Sequence, residues 1–342
     1  MRHQGHAQSR GDGQAAEERA LTSFLDRLEG GARELLLGVA RPVSYAKGDT
    51  IVHHGDPARG AYVLREGDAE AIVMRPGGDD LVVAKFSAGG MFGEMSLVES
   101  GVVTATVRAT SPVSGWFIAT EDFRALVARS DAAALRLQHA VTLILADKLA
   151  ALNVQMLACA APEDLLARRA PRGIDPLAGV ARSREAPFDV AAFLPRLSFF
   201  EHFSADEIDA VASRSGYVEV ARGGGIFAAD TPSSSVFVVL RGAVEVIMVL
   251  GERERRIAVI GPGQMVGFMG VLRENRHANW AFARESSLLL DIPAGAFREI
   301  YFGHERASTR LRAAVQRNLL ASMAHTNRSL TRLLAQAELA AS

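Results

Sequence analysis

The sequence predicts a mainly β protein with flanking helices, arranged as two tandem double-stranded β-helix (jelly-roll) barrels that are each followed by a long α-helix. The first observation behind this fold class is a series of short runs rich in β-branched residues, separated by glycines, over residues 43–118. Such spacing of strands and turns is typical of small barrels and sandwiches. The second observation is that the same order of elements recurs later in the chain, which indicates an internal repeat.

The first repeat is predicted to begin with two short amphipathic helices and to end with a long one. Apolar residues around Phe24 and Leu35 fit helical spacing, and Gly30 and Gly31 separate them. An apolar stretch over residues 131–157 predicts the long helix. The predicted strands lie at residues 50–52, 61–64, 71–74 and 81–84.

The second repeat shows the same signals. A helical lead-in with Phe199 and Phe200 precedes its strands, and a terminal helix is predicted at about 305–337. Because glycine adopts positive φ in tight turns, glycines that match between the repeats predict matching turns. The predicted strands lie at 236–240, 244–247 and 256–259, and the matched glycines are Gly48 with Gly223, Gly67 with Gly242, and Gly89 with Gly263.

Composition divides the chain into four parts. Residues 1–16 are polar and rich in glycine and glutamine, which predicts a disordered tail. Residues 17–157 form the first predicted domain with its helix, and residues 189–342 form the second. Residues 158–188, with several prolines and scattered arginines, are predicted to be a linker.

Charge and cysteine content narrow the function classes. A formal net charge of −1 over 342 residues gives no basic signature for nucleic acid or anionic membrane. Cys159 is the single cysteine, which excludes an internal disulfide and a cysteine-ligated zinc site. With no signal-peptide pattern and no run of 18 consecutive apolar residues, the sequence predicts a cytoplasmic protein without a membrane partner.

The sequence also carries no recognised catalytic or metal pattern. It contains no G-x-S-x-G elbow, Walker A loop, EF-hand or H-E-x-x-H helix, so we expect neither an enzyme nor a metalloprotein. His53 and His54 are adjacent, and adjacent residues of a strand point to opposite faces.

One loop occurs in both repeats and carries the most specific motif. The first copy reads GGMFGEMSL at 89–97 and VVTATV at 102–107, and the second reads GQMVGFMGV at 263–271 and RHANW at 276–280. Both copies resemble the phosphate-binding cassette of the cyclic-nucleotide-binding domain family, F-G-E-[LM]-[AS]-L followed by P-R-[ST]-A-T-V. The resemblance implies the tandem-barrel fold, and it implies cAMP or cGMP as the ligand wherever a cassette still binds one.

The resemblance also implies a role for each cassette position. Backbone N–H groups at the start of a short helix hold the phosphate, and an arginine adds a charge-assisted contact. The glutamate accepts a hydrogen bond from the ribose 2′-hydroxyl, and a serine or threonine contacts phosphate or base.

In the first cassette the acid is kept and the arginine is replaced. Val103 takes the arginine position, and Arg108 lies too far along the next strand to substitute for it. Loss of such a charged contact costs roughly 2–5 kcal/mol of binding free energy. A purely structural interpretation competes with a binding role: Gly93 makes a turn and Glu94 caps the short helix. The residues that match the motif are Gly93, Glu94, Met95, Ser96, Leu97, Thr104, Ala105 and Thr106.

In the second cassette Phe268 replaces the acid, and we expect it to fill the core rather than to stack on a base. Counting from Gly267 puts His277 in the arginine position, whereas a one-residue slip puts Arg276 there. We favour the slip, with Arg276 binding a phosphate or carboxylate, although an exposed loop arginine is the alternative. The ligand candidates are Gly267, Met269, Arg276 and His277.

The long helix at 131–157 suggests a partner surface. In relatives of this kind that helix makes dimer contacts, so the apolar stripe here predicts a homodimer or a protein partner, with packing on its own barrel as the alternative. No room remains for a helix-turn-helix, so DNA binding by that route is not expected. The stripe consists of Leu137, Val141, Ile144, Lys148 and Leu152.

These observations predict a non-enzymatic regulatory protein. It would sense a cyclic nucleotide or related anionic ligand weakly, through one degenerate cassette, and signal through its helices to a partner. The alternative is a ligand-independent scaffold built from two degenerate barrels. Kinase regulatory subunits carry an inhibitory R-R-x-[SA] segment, which residues 168–171 match only superficially.

Overall fold

A computed structural model describes residues 24–29, 31–74, 80–159, 176–177, 180, 182–251 and 253–341, with side chains as far as residue 333. The predicted tail, most of the predicted linker and residues 168–171 lie outside these residues. The chain forms two compact units, residues 1–145 and 146–342, which are described separately below.

The first unit contains two antiparallel four-stranded sheets that enclose a barrel. Their strand orders are β1-β8-β3-β6 and β2-β7-β4-β5, so neighbours in space are distant in sequence, as in a jelly roll. The strands are β1 Arg41–Tyr45, β2 Thr50–Val52, β3 Gly60–Glu66, β4 Ala69–Met74, β5 Asp80–Phe86, β6 Met91–Phe92, β7 Thr106–Ala109 and β8 Val113–Ala119.

Helices flank this barrel on both sides in sequence. A 3-10 turn, Phe24–Arg27, and helix α1, Ala32–Leu37, precede it, as the two predicted lead-in helices require. The remaining helices are α2 Met95–Val98, α3 Thr120–Ala128 and α4 Ala132–Ala158, and the boundary between the two units falls inside α4.

The second unit repeats this topology with one added strand. Its sheets have the orders β15-β12-β17-β10-β9 and β11-β16-β13-β14, in which β10–β17 correspond to β1–β8. The predicted fold class is therefore confirmed. The strands are β9 Arg182–Ser183, β10 Gly216–Val220, β11 Gly225–Phe227, β12 Ser235–Arg241, β13 Val244–Leu250, β14 Arg253–Ile260, β15 Met265–Val266, β16 Trp280–Ala283 and β17 Ser287–Pro293.

The helices of the second unit match those of the first, and its terminal helix is longer. Helix α6 begins at a capping box in which the Ser204 hydroxyl accepts from the Glu207 amide and the Glu207 carboxylate accepts from the Ser204 amide. The helices are α5 Val190–Phe193, α6 Ala205–Ala212, α7 Phe268–Leu272, α8 Ala294–Phe302 and α9 Arg306–Ala341, with a 3-10 turn at Leu194–Arg196.

The apolar stripe of α4 is not a free surface. Leu137 and Val141 are fully buried within the single chain, Ile144 is buried, and Leu152 packs against the core of the second barrel. The prediction that this stripe forms a dimer face is therefore wrong, because helical spacing shows that a face is buried without showing what covers it.

Helix α4 is also long and apolar enough to cross a bilayer, judged by length and composition alone. Its most apolar 18-residue window has a mean hydropathy of 1.4, and 56% of that window is buried inside the protein. A buried core helix has the same composition as a membrane span, so the helix gives only weak support for a membrane role.

Candidate functional site

The first cassette is a tight turn between β6 and α2. Gly93 has φ 76°, and a Cβ atom there would lie 2.6 Å from the Gly60 carbonyl oxygen, so a side chain is excluded on both counts. Helix α2 then follows directly from Met95, a partly exposed residue. The predicted turn at Gly93 is confirmed, and it fixes the direction in which Glu94 enters the loop.

Glu94 is a buried acid at the entrance to α2. Its side chain is 4% exposed, although the glycine before it is open to solvent. It occupies the N-cap position of α2 but makes no side-chain capping bond, so the prediction that Glu94 caps the helix is wrong. Burial of a carboxylate without a capping role is more typical of a recognition group than of a helix start.

Ser96 and Leu97 hold the cassette to the domain. The Ser96 hydroxyl donates to the Gly93 carbonyl oxygen at 2.6 Å, and its own carbonyl accepts from the Thr120 hydroxyl at 3.1 Å. Leu97 is buried in the core. The two residues therefore have structural roles in this arrangement, whatever else they contact.

The arginine position of the first cassette holds a neutral side chain. The Val103 backbone bridges to the neighbouring loop, donating to Asp56 and accepting from Gly55 at 2.8 and 2.9 Å. The Arg108 guanidinium lies 3.5 Å from Asp80, as expected for an arginine outside the site. Thr104 is exposed, Ala105 packs on the barrel core, and the Thr106 hydroxyl accepts from the His54 amide at 3.0 Å.

Aromatic side chains line the first barrel. Tyr62 stacks on Phe92 with ring centroids 5.0 Å apart and an interplanar angle of 15°. Tyr45 and Phe86 pack against the same core, and they and Tyr62 remain partly exposed. Burial, with smaller contributions from the charge of Tyr45 and a hydrogen bond to it, raises the pKa of Tyr62 and keeps its hydroxyl protonated.

The second cassette has the same glycine turn, but a buried phenylalanine takes the place of the acid. Gly267 has φ 86°, and α7 begins at Phe268, which is buried as predicted for a core residue. Met269 is partly exposed on the one-turn helix. The Arg273 guanidinium at the end of α7 forms an ion pair with Asp147 of α4, which holds the cassette against that helix.

The predicted one-residue slip in the second cassette is wrong. Pro57 pairs with Val102 in the first repeat, and Pro232 pairs with Arg276 in the second, so Arg276 corresponds to Val102. His277 takes the arginine position, and its amide donates to Thr231 at 2.9 Å. Arg276 lies on the outside, where its Nε donates to the Asp230 carbonyl at 2.5 Å. Backbone pairing sets this register, and the sequence alone left it open.

His277 is a buried, neutral residue. Its side chain is 7% exposed, and its ring stacks on Phe227 at a centroid distance of 3.9 Å and an angle of 11°. Burial lowers its pKa to about 4, because the imidazolium loses hydration that the Phe227 ring does not replace. The second arginine position therefore carries no positive charge at neutral pH.

We expect the free energy of unfolding of the second unit to fall as the pH drops from about 6.5 to about 4. The unfolded chain protonates His277 near its ordinary pKa of 6.5, whereas the folded protein keeps it neutral until about 4. The lowered pKa has no effect above pH 6.5, where His277 is neutral in both states, and it costs about 3 kcal/mol of stability by pH 4.

Urea unfolding at pH 7 and pH 4.5 measures this dependence. His277→Phe keeps the aromatic stack and should reduce the pH dependence, whereas His202→Asn, at an exposed histidine, should leave it unchanged. The same pH slope in wild type and His277→Phe would contradict the assignment.

The second barrel is filled by its own chain. Met156 of α4 and Leu330 and Leu333 of α9 belong to its buried core, and Leu177 and Val180 pack against that core. The position that corresponds to Tyr62 is occupied here by Phe237, which is buried. Among the described residues, the long helices thus contribute side chains to the core that the strands of this barrel form.

The predicted ligand residues therefore divide between the two cassettes. Gly93, Glu94, Met95, Ser96 and Leu97 come together in the turn and the one-turn helix after β6, while the Arg276 guanidinium is bound to the Asp230 carbonyl. Sequence reasoning missed Tyr45, Tyr62 and Phe86, although alternation along β1, β3 and β5 could have placed them inside. Among the described residues, no cluster of three histidine, cysteine or carboxylate side chains could hold a metal ion.

A family model for the cyclic nucleotide-binding domain matches residues 42–130 and 217–304, together a little more than half of the chain. The two matched ranges coincide with the two barrels. The chain therefore belongs to the cyclic nucleotide-binding domain family, with two copies of the domain in tandem, as the doubled cassette predicts.

Curated relatives include regulatory subunits of cAMP-dependent protein kinase. The one from Blastocladiella emersonii is 32% identical over 93 residues, covering 27% of this chain and 22% of the relative. The one from Dictyostelium discoideum is 30% identical over 112 residues, covering 32% of this chain and 34% of the relative. The chain thus aligns with about a fifth to a third of these relatives' length.

A solved structure of the regulatory domain of Toxoplasma gondii protein kinase A with cAMP covers 94% of this chain and 98% of its own. Its sequence identity is 16% and its TM-score is 0.32. Values this low add no weight to the family assignment.

Proposed function

We propose that this chain is a non-enzymatic regulatory protein that senses a small nucleotide-related ligand in its first barrel and signals through its helices to a protein partner. The second barrel acts as a closed, structural copy of the domain. The relatives are named as regulatory subunits of a cAMP-dependent protein kinase. Their names suggest cAMP as the reference ligand and a protein kinase as the partner class.

The difference between the two barrel interiors carries this proposal. Tyr45 and Tyr62 are partly exposed in the first barrel, while their counterparts Val220 and Phe237 are buried in the second. No side chain of a long helix belongs to the described core cluster of the first barrel, whereas both long helices contribute to that of the second. Because a ligand needs accessible lining surface, the first barrel is the better receptor.

Contacts between α2 and α3 provide a route for the signal. The Thr120 hydroxyl at the start of α3 donates to the Ser96 carbonyl, and the Arg124 guanidinium donates to the Val98 carbonyl at 3.4 Å. A ligand that moves α2 would therefore strain or release the helix after the barrel. Such a ligand shifts the equilibrium only by its difference in affinity for the two arrangements.

Glu94→Ala is expected to weaken ligand binding by about 30-fold or more, because removing a buried charged partner costs roughly 2–5 kcal/mol of binding free energy. Isothermal titration calorimetry of the full chain with cAMP, cGMP, adenosine and guanosine measures this effect. Glu99→Ala is the matched control, since Glu99 is an exposed acid at the other end of α2. Unchanged affinity in Glu94→Ala would remove the first cassette as the site.

The competing function is a ligand-independent scaffold. For the second half of the chain this function is supported by the helix side chains that belong to the core of the second barrel. The same titration separates the two functions. Absence of heat and of thermal shift with all four compounds at millimolar concentration would contradict the sensor and leave the scaffold. Arg276→Ala should leave any measured affinity unchanged, because its guanidinium is bound to the Asp230 carbonyl outside the barrel.

A further inference from the structure

We propose that the ligand of the first barrel is an uncharged nucleoside rather than a cyclic nucleotide. The inference rests on the proposed function, whose binding site it uses, and it names the chemical class of the ligand. It follows from a neutral residue at the arginine position, from the use of nearby hydrogen-bond donors, from a buried acid, and from aromatic lining.

A phosphate has no cation at the position where the family motif provides one. Val103 occupies that position, and its side chain can give neither charge nor hydrogen bond. Two arginines of this unit are engaged elsewhere: Arg108 lies beside Asp80, and Arg124 donates to Val98 and Ser100 at the far end of α2. The lost charge corresponds to about 30-fold to several thousand-fold in affinity for an anion.

The donors of Ser96 and Leu97 in α2 are used within the turn. The Ser96 amide and hydroxyl both donate to the Gly93 carbonyl, at 3.1 and 2.6 Å. The Leu97 amide donates to the Glu94 carbonyl at 3.1 Å. Anion binding at a helix start depends on amides that lack an internal partner, so Ser96 and Leu97 offer a phosphate no free donor.

The acid that remains selects for hydroxyl groups and against negative charge. The Glu94 carboxylate accepts hydrogen bonds and donates none, so a ligand that contacts it must bring O–H or N–H donors. A negative phosphate in the same small loop would be repelled by this carboxylate, with no arginine to offset the repulsion. The sugar of a nucleoside brings hydroxyl groups without the charge.

The interior of the first barrel suits a flat ring. Tyr62 and Phe92 form a parallel stack, and Tyr45 and Phe86 add partly exposed aromatic surface to the same cluster. Aromatic side chains can stack on the flat face of any nucleobase. At the corresponding positions of the second barrel stand Val220, Phe237, Val266 and Ile260, all buried. Partly exposed aromatic side chains therefore occur in the same domain as the buried acid and the neutral arginine position.

Calorimetry of the full chain with adenosine, guanosine, cAMP and cGMP tests the inference. We expect a nucleoside to bind more tightly than the corresponding cyclic nucleotide. Val103→Arg restores the cation and should strengthen cyclic-nucleotide binding by at least about 30-fold, while nucleoside affinity stays within about threefold. Val102→Arg is the matched control: Val102 is 61% exposed, so the same charge one residue earlier should change neither affinity.

The outcomes are distinct. If wild type binds cAMP or cGMP at least as tightly as the nucleosides, the inference is overturned and the proposed function stands. If Val102→Arg strengthens cyclic-nucleotide binding as much as Val103→Arg does, the role assigned to position 103 is wrong. If a well-folded wild type binds none of the four compounds, both the proposed function and this inference are contradicted.

Discussion

Replacing Gly67 with alanine is expected to destabilise the first barrel by roughly 3–5 kcal/mol, enough to unfold a domain of ordinary stability. Gly67 makes the turn between β3 and β4 with φ 84°, and an added Cβ would lie 2.1 Å from the Pro112 carbonyl oxygen. The backbone conformation and the steric clash act together, because neither the turn nor the neighbouring strand can move without breaking ladder hydrogen bonds.

Tryptophan fluorescence during urea unfolding measures this effect, because Trp116 lies in the first barrel and Trp280 in the second. A Trp280→Phe background makes the signal specific to the first barrel. Gly48→Ala is the control: its φ is 93°, but nothing lies within 4 Å of the added Cβ, so about 1–2 kcal/mol is expected. Equal losses in the two variants would contradict the clash with Pro112.

Replacing Arg312 with alanine should destabilise the second unit by roughly 3–5 kcal/mol. Arg312 is 2% exposed, and its Nη1 donates to the carbonyls of Tyr301 and Gly303 at 2.7 and 3.0 Å. These carbonyls lie at the C-terminal end of α8, where helical groups lack internal partners and the dipole is negative. The side chain therefore joins α8 to α9, and alanine would leave buried acceptors and a cavity.

Urea unfolding of the second unit, followed through Trp280, measures this loss. Arg310→Ala is the matched control on the same helix, because its guanidinium is about half exposed and lies 3.7 Å from Glu207. Glu207 is buried, but the Arg310 guanidinium is half exposed, so solvent screening limits this pair to about 1 kcal/mol. Arg312→Lys should lose an intermediate amount of unfolding free energy, since an ammonium group cannot reproduce the planar set of donors of a guanidinium. A loss no larger than that of Arg310→Ala would show that Arg312 is not the link.

Parts of the candidate site were predictable because they depend on local chemistry. In each cassette a glycine precedes a short, mostly apolar run, a pattern that favours a turn followed by a short helix. Gly93, Gly267 and the burial of Phe268 were predicted correctly for this reason. The capping role of Glu94 was wrong, since composition identifies a suitable capping residue but not where its carboxylate goes.

Other parts of the site depend on contacts that sequence spacing does not encode. The identity of the residue in the second arginine position followed from the pairing of Pro232 with Arg276, and the opposite register fits the sequence equally well. The closed second barrel required Met156 and Leu330, which lie on separate helices distant from the strands they cover. The prediction of a dimer face on α4 was wrong for the same reason, because amphipathic spacing does not show which surface a helix packs against.

By itself the sequence determined the repeated jelly-roll fold, the family and the degeneracy of both cassettes. These features follow from strand alternation, from glycines that must adopt positive φ, and from residue types at fixed spacing. The tertiary structure decided the register of the second cassette and which barrel keeps partly exposed aromatic side chains. It did so because burial of His277, exposure of Tyr62 and the outward direction of Arg276 arise only when distant segments pack together.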